Sequence, residues 1–256
     1  MTPLRIACLS LFVVVVSLHG QTADSLLQEG DARFFHGQTA KALPCYLDAY
    51  RSEPHEPPTL IRLIRTYSDL GWLHLHTDSS AEGYYRNAAC YADTLLLLKP
   101  DLAAAHFWAA MTKGSLIPFG GVGEKLRLGK EVRLEAEKTI ALDSTFALAY
   151  IILAIFERET AQLSWFERTI ARVIFGEELH GSLEASEGLL AKAIHFDPLN
   201  SYAYYERYWT YIAEGRKGDA EESLKRVLAI PARSQREARQ HDLPQNYLET
   251  LEKSVE

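Results

Sequence analysis

Three residues in one short segment carry side chains of the kinds that can bind zinc. His74, His76 and Asp78 supply two imidazoles and a carboxylate. Side chains two positions apart on a helix point about 200° from each other, so only an extended or turn conformation brings the histidines together. Two histidines and one possible third ligand also fall short of the usual three or four. We interpret them as ordinary loop residues and expect no metal site.

A glycine-rich segment superficially resembles a phosphate-binding loop. It reads Gly120-Gly121-Val122-Gly123-Glu124-Lys125. The phosphate loop requires the order G-x-x-x-x-G-K-[ST] after a strand. Here Glu124 separates the last glycine from Lys125, Leu126 follows the lysine, and no strand pattern precedes the glycines. We interpret the segment as a flexible turn between two helices.

The serines and carboxylates give no better candidate for catalysis. Ser115, Ser164 and Ser182 lack the sequence of a nucleophile elbow. No conspicuous pair of carboxylates lies in a loop marked by glycines, where general acid-base chemistry would be expected. We therefore predict that the protein is not an enzyme, and we expect no catalytic residue and no cofactor.

Aromatic side chains crowd one later segment, where six of the ten residues from Tyr202 to Tyr211 are Tyr or Trp. At about 100° per residue they divide between two faces of a helix. Such side chains bury a large area with few torsions and keep a polar tip, which is typical of binding sites. The face assigned to internal packing comprises Tyr204, Tyr208 and Tyr211. The opposite face, which we predict lines a concave surface, comprises Tyr202, Tyr205 and Trp209.

Helical hairpins must position this aromatic face. A spaced set of residues recurs in weaker form along the chain, each time closing on a pattern such as Phe196-Asp197-Pro198. The set is typical of the tetratricopeptide helix-turn-helix repeat, in which a small residue on each helix lets the partner approach and a proline ends the pair. We predict an all-α, tetratricopeptide-like helical-hairpin solenoid. The first copy of the set is Leu26, Gly30, Ala42, Tyr46, Ala49 and Pro54.

The residues that close the repeats give the domain organisation. We predict one repeat domain over residues 21–256, in which the middle repeats exceed the standard unit of about 34 residues. The fourth repeat carries an extra apolar-rich helix, Leu163 to Phe175, and residues 234–253 form a capping helix that covers the last apolar face. The predicted repeats span residues 23–56, 57–100, 101–144, 145–198 and 199–231.

The same alignment of repeats places further side chains beside the aromatic face. This inner wall is more apolar than a groove exposed to solvent should be. Two explanations stay open: a groove for a hydrophobic ligand or peptide, or a groove filled by the extra helix or by closure onto the cap. The predicted groove residues are Phe34, Arg65, Phe107, Met111, Ile151, Tyr202, Tyr205 and Trp209.

The charge and the N-terminus predict location and partners. The formal net charge of −7 disfavours nucleic acid and anionic membranes as partners. Arg5 followed by the uncharged apolar run Ile6 to Leu18 is typical of a signal peptide, here residues 1–20, and the run is short for a spanning helix. We predict an exported protein, periplasmic or secreted, whose mature chain does not span a membrane. An uncleaved signal that anchors the protein is the alternative.

The extra helix also carries a family resemblance. The segment Leu163-Ser164-Trp165-Phe166-Glu167-Arg168, continuing to Ile174-Phe175-Gly176, resembles a motif in the regulator of microtubule dynamics family of tetratricopeptide-like proteins. Later elements of that family fit Asp197-Pro198 and Leu228-Ala229-Ile230-Pro231. The resemblance implies a helical scaffold that acts through protein contacts, with eukaryotic relatives linked to microtubules or membrane contact sites. It carries over no catalytic residue.

These observations predict a non-catalytic protein-protein interaction scaffold of the cell envelope. It would bind a peptide or a helix of a partner in the concave, aromatic-lined groove. The alternative is a small-molecule-binding accessory protein, for example of a transporter, with an apolar cavity inside the repeat. An enclosed pocket favours the alternative, whereas an open trough with aromatic anchors favours peptide capture.

Overall fold

In the computed structural model the chain forms a stack of α-helical hairpins. The structure describes residues 22–75, 79–176 and 180–242, and no strand occurs in those ranges. The predicted all-α, tetratricopeptide-like fold class is therefore confirmed. The helices are α1 (Ala23–Phe35), α2 (Thr39–Ser52), α3 (Pro57–His74), α4 (Ala81–Leu98), α5 (Ala103–Leu116), α6 (Val122–Leu142), α7 (Ala147–Ala161), α8 (Trp165–Phe175), α9 (Leu183–Phe196), α10 (Ser201–Ala213) and α11 (Lys217–Ala229).

The helices pack in chain order. The hairpins are α1 with α2, α3 with α4, α5 with α6, α7 with α9, and α10 with α11. Each second helix also contacts the first helix of the next hairpin. The first helices α3, α5, α7 and α10 touch one another in sequence along the inner side, which forms the concave face. The exact boundaries of the five repeats stay a prediction.

Glycines let the helices of the first two hairpins approach closely. A Cβ atom added at Gly30 of α1 would lie 2.5 Å from Cε1 of Tyr46 in α2. One added at Gly71 of α3 would lie 2.6 Å from Cε1 of Tyr85 in α4. Real Cβ atoms do not approach aromatic carbons so closely, so each ring occupies space that only glycine leaves free. This is the contact that the sequence predicts for Gly30.

The inserted helix α8 packs against α6. Its N-terminus is a capping box: the Glu167 N–H donates to Oγ of Ser164 at 3.3 Å, and the Ser164 N–H donates to the Glu167 carboxylate at 2.9 Å. Gly176 ends the helix in the left-handed conformation with φ of 79°. Fully buried Ala171 packs with Leu126 of α6, so α8 adds one more helix to the third hairpin.

The chain after α11 returns across the concave side. Residues 235–242 are helical, and the Glu237 N–H donates to Oγ of Ser234 at 3.2 Å at the start of this helix. Nη1 of Arg239 donates to the carbonyl of Leu73 in α3 at 3.4 Å. The part of the predicted cap that the structure describes thus reaches the second hairpin. Throughout the described ranges, no helix has both the length and the apolar character of a membrane span.

Candidate functional site

A cavity of about 500 Å³ lies on the concave side of the third and fourth hairpins. Helices α5, α6 and α7 form most of its wall, and the start of α8 closes part of it. Its volume is in the range of small-ligand pockets, about 300–1,000 Å³. Lys125, Glu159, Glu167 and Arg236 add charged groups. The apolar wall includes Met111, Leu126, Val132, Ile152, Ile155 and Phe156.

The cavity exists because the third hairpin lacks an aromatic ring at its close contact. Gly114 of α5 faces α6, as Gly30 and Gly71 face their own partner helices. A Cβ atom at Gly114 would meet only Cγ2 of Val132, at 3.8 Å. Valine is much smaller than tyrosine, so the space that a ring fills in the first two hairpins stays empty here. Both Gly114 and Val132 line the cavity.

Two of the predicted groove residues, Met111 and Tyr202, line this cavity. Three others are core residues in the structure, with exposed fractions of 2% for Phe34, 4% for Phe107 and 0% for Ile151. The α7–α9 contact covers Ile151, and the ring of Phe107 packs against other side chains of the third hairpin. Packing within the helix stack therefore buries these three side chains.

Arg65 belongs to a polar network in the first two hairpins. Its guanidinium lies 4.0 Å from the ring centroid of Phe34 and its Nη2 lies 3.5 Å from Oδ1 of Asp31. Asp31 also accepts hydrogen bonds from the Tyr46 hydroxyl at 2.7 Å and from Arg62. Burial raises the pKa of Asp31, but these hydrogen bonds outweigh burial and leave the pKa below its ordinary value. The network ties α1, α2 and α3 together, away from the cavity wall.

The predicted aromatic face of α10 is divided in two. Tyr202 lines the cavity, and burial raises the pKa of its hydroxyl. Tyr205 and Trp209 pack edge to face with centroids 6.1 Å apart, and 41% of Trp209 is exposed. On the face predicted to pack internally, Tyr211 is buried and its hydroxyl donates to Glu187 at 2.7 Å. Tyr205 and Trp209 form a separate surface patch.

Sequence reasoning missed a polar site next to the cavity. Asp69 of α3 is only 7% exposed, and its Oδ1 lies 3.8 Å from Nη1 of Arg236. The Arg236 guanidinium lies 5.6 Å from the ring centroid of Trp72 and 5.5 Å from that of Tyr202. Burial raises the pKa of Asp69 to about 6, although Arg236 and Arg65 oppose the shift. The available signal was one aspartate inside the otherwise small or apolar run Ser68–Leu73.

The glycine-rich segment and His74, which the sequence offered for phosphate or metal binding, lie at helix ends. A 3₁₀ turn, Ile117–Phe119, follows α5, and Gly120 and Gly121 link it to α6. The rest of the glycine-rich segment, from Val122 to Lys125, is the first turn of α6 and not a turn between helices as predicted. His74 ends α3, whereas His76 and Asp78 lie outside the described residues. Within the part of the chain that the structure describes, no cluster of three or more His, Cys, Asp or Glu is arranged to hold a metal ion.

Known proteins resemble this chain in sequence and in fold. Regulator of microtubule dynamics protein 1 of Mus musculus is 25% identical over 175 residues, which are 68% of this chain and 57% of the mouse protein. Regulator of microtubule dynamics protein 3 of Rattus norvegicus is 26% identical over 139 residues, 54% of this chain and 29% of the rat protein. The chain spans about half the length of the curated relatives it matches.

A solved structure shares the architecture. A thermophilic tetratricopeptide-repeat protein of Thermus thermophilus superposes with a TM-score of 0.64 at 13% sequence identity, covering 87% of this chain and 98% of that protein. At that identity the likeness shows the fold alone. It agrees with the hairpin stack described above.

The predicted export is wrong. The matching relatives are mammalian proteins named for the regulation of microtubule dynamics, and microtubules are polymers of the cell interior. This contradicts a periplasmic or secreted protein, and the predicted signal peptide over residues 1–20 lies outside the described residues. The family model described as Regulator of microtubule dynamics protein 1-3 matches residues 26–252. This match, over most of the sequence, shows that the chain belongs to the regulator of microtubule dynamics family.

Proposed function

We propose that this protein is a non-catalytic interaction scaffold that receives a segment of a partner protein on its concave face. An apolar side chain of that segment would enter the cavity between α5, α6 and α7. The cavity of about 500 Å³ is the observation that carries the proposal. Helical-repeat stacks use their concave surfaces for binding, and here the inner helices leave space instead of closing it.

The lining of the cavity supports binding without a reaction. Among its polar groups, Oγ of Ser115 donates to the carbonyl of Met111 at 3.0 Å and not to a base. The Glu167 carboxylate is engaged in the capping box of α8. Aromatic and aliphatic walls with a few charged groups fit an amphipathic protein segment, as in other helix- and peptide-binding grooves.

The names of the relatives indicate where to look for the partner. They are regulators of microtubule dynamics, so microtubules and the proteins bound to them are the first candidates. The test compares the full-length wild type with Val132→Phe, which places a ring in the cavity, in co-sedimentation with microtubules and in capture of proteins from cell extract.

A matched control lies on the same helix. Leu134 of α6 is 54% exposed, whereas Val132 is 6% exposed and lines the cavity. We expect Val132→Phe to reduce retention of a specific partner about tenfold, equivalent to about 1.4 kcal/mol, while Leu134→Phe binds as the wild type does. Equal retention by all three proteins would contradict insertion into the cavity.

A second candidate is a small apolar molecule bound in the same cavity. The wall built from α5, α6, α7 and the start of α8 supports it, because this wall surrounds a ligand on several sides. Titration with a naphthalene-based fluorescent probe separates the candidates. If the probe binds with one-to-one stoichiometry and Val132→Phe abolishes this binding, while no protein partner depends on Val132, the small molecule replaces the partner segment.

A further inference from the structure

Residues 233–242, which we name the clasp, bind back onto the body of the protein. The Arg233 side chain donates to the carbonyl of Leu199, before α10 begins, at 3.3 Å. Farther along, Arg239 donates to the carbonyl of Leu73 in α3. Gln240, the next residue, is only 4% exposed. The clasp therefore joins the last hairpin to the second one across the concave face.

Arg236 is the central contact of the clasp. It lies in a cradle, which we define as Asp69 and Trp72 of α3 with Tyr202 of α10. The carboxylate is 3.8 Å from the guanidinium, and the two ring centroids are 5.6 and 5.5 Å from it. The side chains of Arg236 and Asp69 are only 16% and 9% exposed. A buried carboxylate and two aromatic rings that all approach one point are chemically suited to a planar guanidinium.

The contact between Arg236 and Asp69 is loose for such a buried pair. A charge-assisted hydrogen bond between guanidinium and carboxylate is about 2.7–2.9 Å long, so a 3.8 Å separation leaves the pair without one. Within the described ranges, the pair with Arg236 is the one ion pair that Asp69 makes. An arginine that approaches with better geometry would satisfy this carboxylate more fully than Arg236 does.

The cradle and the cavity are parts of one site. Trp72, Tyr202 and Arg236 line the cavity, together with Tyr85 of α4. A segment that places an arginine in the cradle therefore has apolar space immediately beside it. The clasp places Arg236 in the cradle but does not fill the neighbouring cavity of about 500 Å³.

We propose that the clasp is an intramolecular ligand of the cradle, and that a partner segment displaces it by placing its own arginine against Asp69, with an adjacent apolar side chain in the cavity. That the displacing ligand is a segment of a partner protein rests on the proposed function. The clasp then sets a threshold for partner binding, because the external arginine must compete with Arg236, which is held at high local concentration by the chain itself.

The test uses the full-length chain and a fluorescent peptide with the sequence of residues 232–242. In Arg236→Ala the cradle lacks its internal arginine, so we expect the peptide to bind about tenfold more tightly than to the wild type. Adding Asp69→Asn to Arg236→Ala should remove this gain. A peptide with lysine in place of Arg236 should bind more weakly, because an ammonium lacks the planar face that stacks on the rings.

Arg226→Ala is the control variant. Arg226 is an exposed arginine of α11 that pairs with Glu222 one turn away, so its removal should leave peptide binding at the wild-type level. Equal binding of the peptide to wild type and Arg236→Ala, or a gain that survives Asp69→Asn, would overturn the proposal.

A measurement on the unaltered chain covers the case in which the variants unfold. Excess peptide should displace the clasp of the wild type and increase hydrogen exchange of the amides in residues 235–242. Unchanged exchange at saturating peptide would also overturn the proposal. Because the probe is the chain's own sequence, these results do not depend on the external partner, whereas the Val132→Phe comparison tests the proposed function separately.

Discussion

The first two hairpins and the third hairpin use the same kind of close helix contact with different results. In the first two, Gly30 and Gly71 face the rings of Tyr46 and Tyr85 at distances that admit no Cβ atom. In the third, Gly114 faces Val132 across ordinary van der Waals distance. The first arrangement gives a filled core, and the second leaves the cavity. One change of side-chain size thus separates a region built for stability from a region with space for a ligand.

Removal of the Tyr46 ring should have the largest effect on stability. Tyr46 is fully buried and also donates a hydrogen bond to Asp31. We expect Tyr46→Ala to lower the free energy of unfolding by about 3–5 kcal/mol, as for other buried aromatic residues. Val132→Ala, which loses two methyl groups beside an existing cavity, should lower it by only about 1–2 kcal/mol. Urea unfolding followed by circular dichroism measures both, and equal losses would contradict the contrast between the hairpins.

Asp69 lies where the two regions meet and should make stability depend on pH. Its folded-state pKa of about 6 is above its ordinary value of 3.8, so the folded chain binds this proton more tightly than the unfolded chain. The stability that the protonated group contributes is present below about pH 4 and is lost as the pH rises through about 6. The variant Asp69→Asn has no titrating carboxyl group at this position, so it does not lose this stability as the pH rises. Its stability relative to the wild type should therefore rise between pH 4 and pH 7, by up to about 3 kcal/mol.

This prediction is checked by urea titrations of both proteins at several pH values. Other groups titrate in both chains and cancel in the difference. A difference in unfolding free energy that stays constant from pH 4 to pH 7 would show that Asp69 titrates normally.

Replacement of Gly30 and of Gly114 by alanine should change stability in opposite directions. Gly30→Ala forces a methyl group against the Tyr46 ring, so we expect a loss of about 1–3 kcal/mol despite the better helix propensity of alanine. Gly114→Ala meets only ordinary contact with Val132, so we expect a gain of up to about 1 kcal/mol. Thermal and urea unfolding of the two variants test the pair. Two losses of similar size would show that the third hairpin is packed as tightly as the first.

A substitution in the surface patch of α10 should have the smallest effect on stability. Trp209 is 41% exposed and contacts Tyr205 and Tyr208 edge to face. We expect Trp209→Ala to lower the free energy of unfolding by no more than about 1 kcal/mol, because solvent-facing substitutions disturb little packing. If the patch contributes to partner binding, the same variant should retain less partner. Severe unfolding would instead place Trp209 in the core.

The sequence predicted the hairpins well because each one depends on local spacing. Gly30 and Tyr46 are sixteen residues apart, and their contact follows from helix geometry and one tight turn. The extra helix α8 was predicted from its apolar-rich stretch, Leu163 to Phe175.

The candidate site was less predictable because it depends on how hairpins curve around one another. Phe107 and Ile151 occupy inner positions by repeat alignment, yet neighbouring helices cover them. The contact of Arg239 with Leu73 joins positions 166 residues apart, and no periodic pattern encodes such a long-range contact. The cavity itself arises from Val132, a residue that the sequence alone presents as ordinary core.

Titration of wild type and Val132→Phe with a naphthalene-based fluorescent probe shows whether the contact without a ring opens an accessible binding cavity. We expect saturable binding at one site in the wild type and binding about tenfold weaker or absent in Val132→Phe, with a free energy of unfolding no more than about 3 kcal/mol below that of the wild type. Equal binding of the probe by the two folded proteins would contradict this expectation.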